Sequence, residues 1–190
     1  MSAFVLDGPA HAGFTRIGCS TDAEAVGRAA DLAGPGGAFD LLGLAPPTAH
    51  DLLVLGADEY RSVQAAVPVL VARPVPVGSA FPGDVLVVSD GTTASRPVIA
   101  ATVALLARHT ARPLLLHVGR SGRSIRHELA EQAATLRLRT GAEPVALSRR
   151  DVSPATLGQL TGGLRIAVVA VTARCAGVIA HSSVPVLVVP

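Results

Sequence analysis

The sequence predicts an α/β fold built on a parallel sheet, and three observations carry that prediction. From Asp84 onward, strand and helix signals alternate five times, the pattern of parallel strands with helices on the sheet faces. The run Val67-Pro68-Val69-Leu70-Val71-Ala72 recurs as Val184-Pro185-Val186-Leu187-Val188-Val189. Each copy is free of charge and entered through a proline, where a missing N–H does least harm to a buried strand. Finally, 49% of the 190 residues are apolar and only 16% charged, which describes a strongly buried globular chain. Aromatics are 3%, so Val, Leu, Ile and Ala must fill the core.

The net charge of +2 is too small to argue for nucleic acid or an acidic membrane surface as partner. All basic residues are Arg, which excludes a phosphate-binding, Schiff-base or catalytic Lys. Cys19 and Cys175 form no CxxC and no disulfide framework, so a reducing cytoplasm is expected. Met1–Gly8 lacks the basic start and apolar core of a signal peptide. The uncharged run Pro97–Ala107 is far shorter than the roughly 20 residues that span a bilayer.

Taken in order, Phe4–Gly13 gives no element and Phe14–Ser20 reads as a short strand. Thr21–Ala33 reads as a helix with Thr21 as N-cap and Glu24 three residues on, stopped at Gly34-Pro35-Gly36-Gly37. Phe39–Ala45 is ambiguous, and Pro46-Pro47 breaks the chain. Asp51–Gly56 is a buried strand, Asp58–Ala66 a short helix, and the first Val-Pro-Val-Leu-Val strand follows. Pro74–Gly83, rich in Pro and Gly, is a linker. Beyond it come strand Asp84–Ser89, a turn at Asp90–Thr93, and helix Ser95–Thr110 with Val98, Ala101, Leu105 and Leu106 inward. Then follow strand Leu114–Val118 and helix Ser124–Leu138, with Ile125, Leu129, Ala133 and Leu136 on its inner face. Strand Glu143–Leu147, a helix Ser153–Leu160 capped by Ser153 with Pro154 at its first position, strand Arg165–Val171, helix Cys175–His181 and strand Val184–Val189 complete the chain.

Two spacings relate the two parts. Leu41-Leu42 matches Leu115-Leu116, and Ala33 matches Ala107, at one spacing; Val54 matches Val171, and Val67 matches Val184, at a longer one. The difference corresponds to the segment from about Gly119 to Gly162, so the first unit reads as the second with its central helix–strand–helix removed. This divides the chain into a truncated unit 1–74, a linker 75–83 and a full unit 84–190. If Phe39–Ala45 were a strand parallel to Asp51–Gly56, the connection Pro46–His50 would be too short for a crossover of about a dozen residues. Either Phe39–Ala45 runs antiparallel or it belongs to the crossover.

Asp84-Val85-Leu86-Val87-Val88-Ser89-Asp90-Gly91-Thr92, a helix, then Leu114-Leu115-Leu116-His117-Val118 resembles the opening of universal stress protein domains. Val184–Val189 resembles their last strand, and Asp51–Pro74 looks like the same family's last third. The resemblance implies an open five-stranded parallel sheet in the order 3-2-1-4-5, whose last strand is an edge that pairs antiparallel between subunits. Because an exposed apolar edge must be paired or covered, two such strands in one chain imply an intramolecular pseudo-dimer, Val67–Ala72 beside Val184–Val189.

Nucleotide-binding members of that family hold adenine near the Asp that ends the first strand. They hold phosphate on a loop G-x2-G-x9-G-[S/T] after the fourth strand, where backbone N–H groups and a helix N-terminus meet the anion. Asp90, with Gly91 and Thr92, matches the first part. After Val171 comes Thr172-Ala173-Arg174-Cys175, with no glycine before Gly177, so the second part is absent. In the first unit Gly56-Ala57-Asp58-Glu59 lacks it too and adds carboxylates that repel phosphate. The resemblance thus argues against ATP in the family's usual way and implies no cofactor. Another route for an adenine nucleotide would be Gly119-Arg120-Ser121-Gly122-Arg123-Ser124, with Asp90 and Arg174 across the cleft. The plainer reading is a solvated loop capped by Ser124, with Asp90 as a turn and helix cap.

His117 reads as a packed histidine, and His127-Glu128 lacks a second His for zinc. Arg120, Arg123 and Arg126, and Arg149-Arg150, form small basic faces. No nucleophile elbow or catalytic triad order stands out. The expectation is a non-enzymatic, cytoplasmic stress-response module acting through a protein partner or self-association at 67–72 and 184–189, without nucleic acid or membrane. The alternative is a nucleotide or anion sensor.

Overall fold

The strand signals of both segments merge into one nine-stranded sheet in the computed structural model, which describes residues 13–42, 49–74, 81–163 and 166–190. The readings of Phe4–Ala12, Pro46-Pro47, most of the linker and Arg165 fall outside the described residues.

Strand β1 (Ile17–Cys19) carries Gly18 in its middle. A Cβ there would stand 2.9 Å from the ring of buried His50 and from Leu42. Helix α1 (Ala23–Ala33) is capped by Asp22 and not by Thr21. The Asp22 carboxylate accepts the N–H of Glu24 and of Ala25, each at 3.0 Å, because a carboxylate one position later reaches both donors. Gly34, at φ 71°, ends the helix. Strand β2 is only Asp40–Leu41, and β3 is Leu52–Leu55. Helix α2 is a single turn, Ala57–Tyr60, shorter than the sequence suggests. Ser62 explains the stop: its hydroxyl donates to the Glu59 carbonyl at 2.8 Å, competing with helix propagation. Strand β4 (Val69–Val71) closes this half.

In the second half, β5 (Val85–Ser89) runs into a 3-10 turn at Thr93–Ser95 and helix α3 (Arg96–Leu106). Then come β6 (Pro113–Val118), α4 (Arg123–Thr140), β7 (Val145–Arg149) and α5 (Pro154–Gly163). Strand β8 (Val168–Thr172) passes directly into a 3-10 helix, Ala173–Ala180, and β9 (Val186–Val189) ends the chain. Ser153 does cap α5, its hydroxyl accepting the Thr156 N–H at 3.1 Å.

The strand order is β2-β1-β3-β4-β9-β8-β5-β6-β7. Every neighbouring pair is parallel except β4 and β9. The second half therefore has the expected order 3-2-1-4-5. Strand β4 meets β9 antiparallel in the middle of the sheet, with Val69 opposite Val188, Leu70 opposite Leu187 and Val71 opposite Val186. Val69 and Val186 do not face each other in this register.

The antiparallel alternative for Phe39–Ala45 does not hold: among its described residues Asp40–Leu41 is strand, and it pairs parallel with β1, which lies between it and β3. The connection into β2 is therefore α1, a full crossover.

Side chains alternate between two faces. On one, Leu52, Val54, Leu70, Val87 and Leu187 pack with α1, α3 and Leu136 of α4; on the other, Leu53, Val69, Val71, Val88, Val186 and Val188 pack with Leu157 of α5 and Val178. Burying a Leu or Val completely contributes about 1.5–3 kcal/mol. Apolar β-branched strands with no charge satisfy both faces at once, which is why these runs occupy the sheet interior.

Candidate functional site

The carboxyl ends of β5, β6 and β8 bring together most of the predicted site residues. Asp90 follows β5 directly. Its Oδ1 accepts the Thr92 N–H at 2.8 Å, the Thr92 hydroxyl at 2.7 Å and the Ser95 hydroxyl at 2.8 Å. Partial burial opposes ionisation, but these hydrogen bonds and the charge of Arg174 outweigh it and hold the Asp90 carboxyl below the usual range. Thr92 in turn caps the 3-10 turn by accepting the Ala94 N–H. Asp90, Thr92 and Ser95 thus form a self-contained cap at the start of the helix.

Gly91 adopts φ 73°, and a Cβ on it would collide with Ile125 of α4 and stand 3.2 Å from the His117 ring. The space over the end of β5 is filled by Ile125 and His117. His117 is 2% exposed; its Nδ1 shares a hydrogen bond with Ser148 Oγ at 3.1 Å, while its buried Nε2 has no partner. Gly119, at φ 138°, closes over the same ring and donates its N–H to the Arg149 carbonyl at 3.0 Å.

Arg120, Ser121 and Arg123 are exposed, as is Arg174. Helix α4 is capped by Gly122, not Ser124, and has no side-chain cap. The glycine ends the preceding loop in extended backbone, which moves Ser124 into the helix beyond capping reach.

Sequence reasoning missed the polar group that supports this end of the sheet. Helix α4 buries Glu128, Gln132 and Leu136, whereas Ile125, Leu129 and Ala133 are only partly buried. The Ser89 hydroxyl donates to Gln132 Oε1 at 2.7 Å and accepts the Gly91 N–H at 3.0 Å. Gln132 Nε2 donates to the Thr92 carbonyl at 3.0 Å and to Glu128 at 3.1 Å. Arg96 grips Glu128 with two bonds of 2.8 and 2.7 Å. The four-residue spacing of Glu128, Gln132 and Leu136 was the available signal.

The first half offers a different end. At Gly56, which precedes α2, the N–H donates to Glu59 Oε2 at 2.9 Å. A Cβ on Gly56 would lie 3.1 Å from both the Asp22 and the Glu59 carboxylates. The helix start is filled by the protein's own acid. Cys19 beside it is buried, and burial with the charge of Glu59 pushes its thiol up; Cys175 is exposed. A cavity of about 260 Å³ lies where β4 meets β9, lined by Tyr60 of α2, Val63, Val67, Val69, Val188 and Ala173, which follows β8. Among the described residues, no three His, Cys, Asp or Glu gather as a metal site, and no helix is long and apolar enough to cross a membrane.

A universal stress protein from Archaeoglobus fulgidus matches this structure with a TM-score of 0.61 at 13% identity, covering 81% of this chain and 70% of that one. The chain has the universal stress protein fold. A protein of unknown function from Pseudomonas aeruginosa PAO1 matches with a TM-score of 0.53 at 13% identity, over 91% of this chain and 80% of that one. No protein-family model matches the sequence, and no curated protein does. Strand β8 runs straight into the next helix, which Thr172 caps without a side-chain hydrogen bond, and no loop intervenes.

Proposed function

We propose that this chain is a non-catalytic universal stress protein-like module that acts through protein association and does not hold ATP in the manner of nucleotide-binding members. It is two unequal units, 1–74 and 84–190, joined as an internal dimer, the first lacking the central helix–strand–helix. The observation that carries the reading is the closure of both sheet ends. Ile125 and His117 fill the space over Gly91, and Glu59 occupies the helix start at Gly56. A phosphate at Gly56 would have to displace a carboxylate and sit beside Asp22 and Asp58.

Strand correspondence supports the two-unit reading. Strand β3 pairs with β1 and β4 as β8 pairs with β5 and β9. With Val69 set against Val186, that register puts Leu53 where Val169 stands and Gly18 where Leu86 stands, so Asp22 is the counterpart of Asp90. The same register sets Leu41 against Leu115, as the sequence spacing has it, and Val54 against Ala170, one residue before the Val171 that the spacing suggests.

One observation favours an anion or nucleotide sensor instead: the buried, unpartnered Nε2 of His117 lies between Gly91 and Gly119, with Asp90 and Arg174 nearby. A thermal-shift titration with ATP, ADP, AMP and cyclic AMP, with and without magnesium, separates the two. A ligand bound to the native state at a hundredfold excess over Kd adds about 2.7 kcal/mol and raises the midpoint. The association module is expected to show no shift at millimolar nucleotide. A shift that disappears in Asp90→Ala or Arg120→Ala would establish the sensor.

A further inference from the structure

The internal β4–β9 pairing leaves the sheet with two outer strands. One, β2, is two residues long; the other, β7, has five. Strand β7 is exposed along its length except at half-buried Leu147, and Val145 is 46% exposed. Its ladder fixes which backbone groups are free. The Arg149 carbonyl accepts from Gly119 on the β6 side. Val145 and Leu147 share its parity and direct their backbone groups the same way, so Ala146 and Ser148 turn theirs outward. Such an edge is a template for another strand.

The same strand ends in charge. Arg149 and Arg150 are exposed, and the Gly119–Arg149 bond brings Arg120, next in the chain, alongside; Arg123, also exposed, opens α4 three residues later. Among the described residues none of these four arginines forms an ion pair. The first turn of α4 contains no acid to neutralise them. No Phe, Tyr or Trp occurs after Phe81, so this surface lacks the large aromatic rings on which bases stack best. That, with a net charge of only +2, favours a peptide over a nucleic acid.

We infer that β7 takes up an extended peptide segment of a partner protein as an added strand, with acidic residues at the end that meets Arg120, Arg123, Arg149 and Arg150. The inference rests on the association reading and names its surface. Backbone groups of Ala146 and Ser148 supply the pairing, and the arginines select for carboxylates and fix the register.

The test uses the full chain and fluorescent synthetic peptides of alternating Val and Thr, with a run of Glu at one end or the other, or Lys in its place. Anisotropy should show saturable binding of a Glu-ended peptide and none of the Lys-ended ones. Ala146→Pro removes only an outward N–H, so the β6 ladder and the thermal midpoint should survive while Kd rises about tenfold or more. Arg150→Glu, on the exposed surface, should weaken binding as much. Absence of Glu-peptide binding, unchanged affinity in folded Ala146→Pro, or tighter binding of mixed-sequence duplex DNA would each overturn the inference. A nucleotide-induced shift would instead sink the association reading, and it is scored in a separate titration.

Discussion

Leu187→Asp is expected to abolish folding of the whole chain. Leu187 is fully buried at the centre of β9, opposite Leu70 of β4, with strands on both sides. An unpaired carboxylate there loses its hydration with no partner to replace it, at a cost of at least several kcal/mol against a total stability of about 5–15 kcal/mol. Leu187→Ala keeps the strand apolar and should cost about 2–5 kcal/mol through lost burial and the cavity left behind. Urea unfolding followed by far-UV circular dichroism checks both. A single transition moved to lower urea in Leu187→Ala is the expected result, because β9 belongs to the same sheet as both halves. Two transitions, only one of them shifted, would mean that the halves fold independently.

The second large effect is expected at the Glu128 network. The two hydrogen bonds from Arg96 hold the Glu128 carboxyl below its ordinary range, against the opposing effect of burial, with Gln132 adding to the lowering. A carboxyl whose folded pKa lies below its unfolded one contributes stability above the unfolded value, and that contribution disappears as pH falls through the folded value. Asp84 behaves likewise: burial opposes ionisation, and hydrogen bonds and charge from Arg112 outweigh it. Stability should therefore decline as pH falls below about 4.5. Glu128→Gln should lose about 1–3 kcal/mol near neutral pH and show a shallower acid limb. Gln132→Ala, which strips partners from Ser89, Thr92 and Glu128, should cost about 2–4 kcal/mol. Urea midpoints between about pH 3 and 8 measure this. An acid limb in Glu128→Gln as steep as that of the unaltered protein would contradict the assignment.

The fold was legible where burial is two-sided. Val85–Ser89, Val168–Thr172 and Val186–Val189 are charge-free because both faces of the sheet are covered, and such runs announce themselves in sequence. Their order followed from the resemblance that the same residues carry. Phe39–Ala45 was not legible. A two-residue strand has too few alternations to set a period, and its pairing with β1 depends on a crossover elsewhere in the chain.

The site was legible only in outline. Motif position singles out Asp90, Gly91 and Gly119, and the structure sets Gly91 and Gly119 against the ring of His117. The Glu128–Gln132 support was hidden because apolar periodicity assigns the inner face of the helix to Ile125, Leu129, Ala133 and Leu136, of which Leu136 alone is fully buried. The stripe that is buried instead is polar and satisfied by Arg96, Ser89 and Thr92. A hydrophobic pattern cannot register a buried face whose stability comes from complete hydrogen bonding. The capping residues Asp22 and Gly122 were each missed by a position or two, the usual fate of helix boundaries when several capping types stand in a row.

The central claim is that this single chain pairs with itself the two edge strands that the family resemblance assigns to contact between subunits. The most direct test is a disulfide between Val69→Cys and Val188→Cys, residues that face each other across β4 and β9, in a Cys175→Ser background. Oxidation of the folded protein at low concentration should give a species of unchanged mass on non-reducing gels, with altered mobility that reductant reverses. A disulfide found only between chains would contradict the account and return β4 and β9 to the role of intermolecular edges.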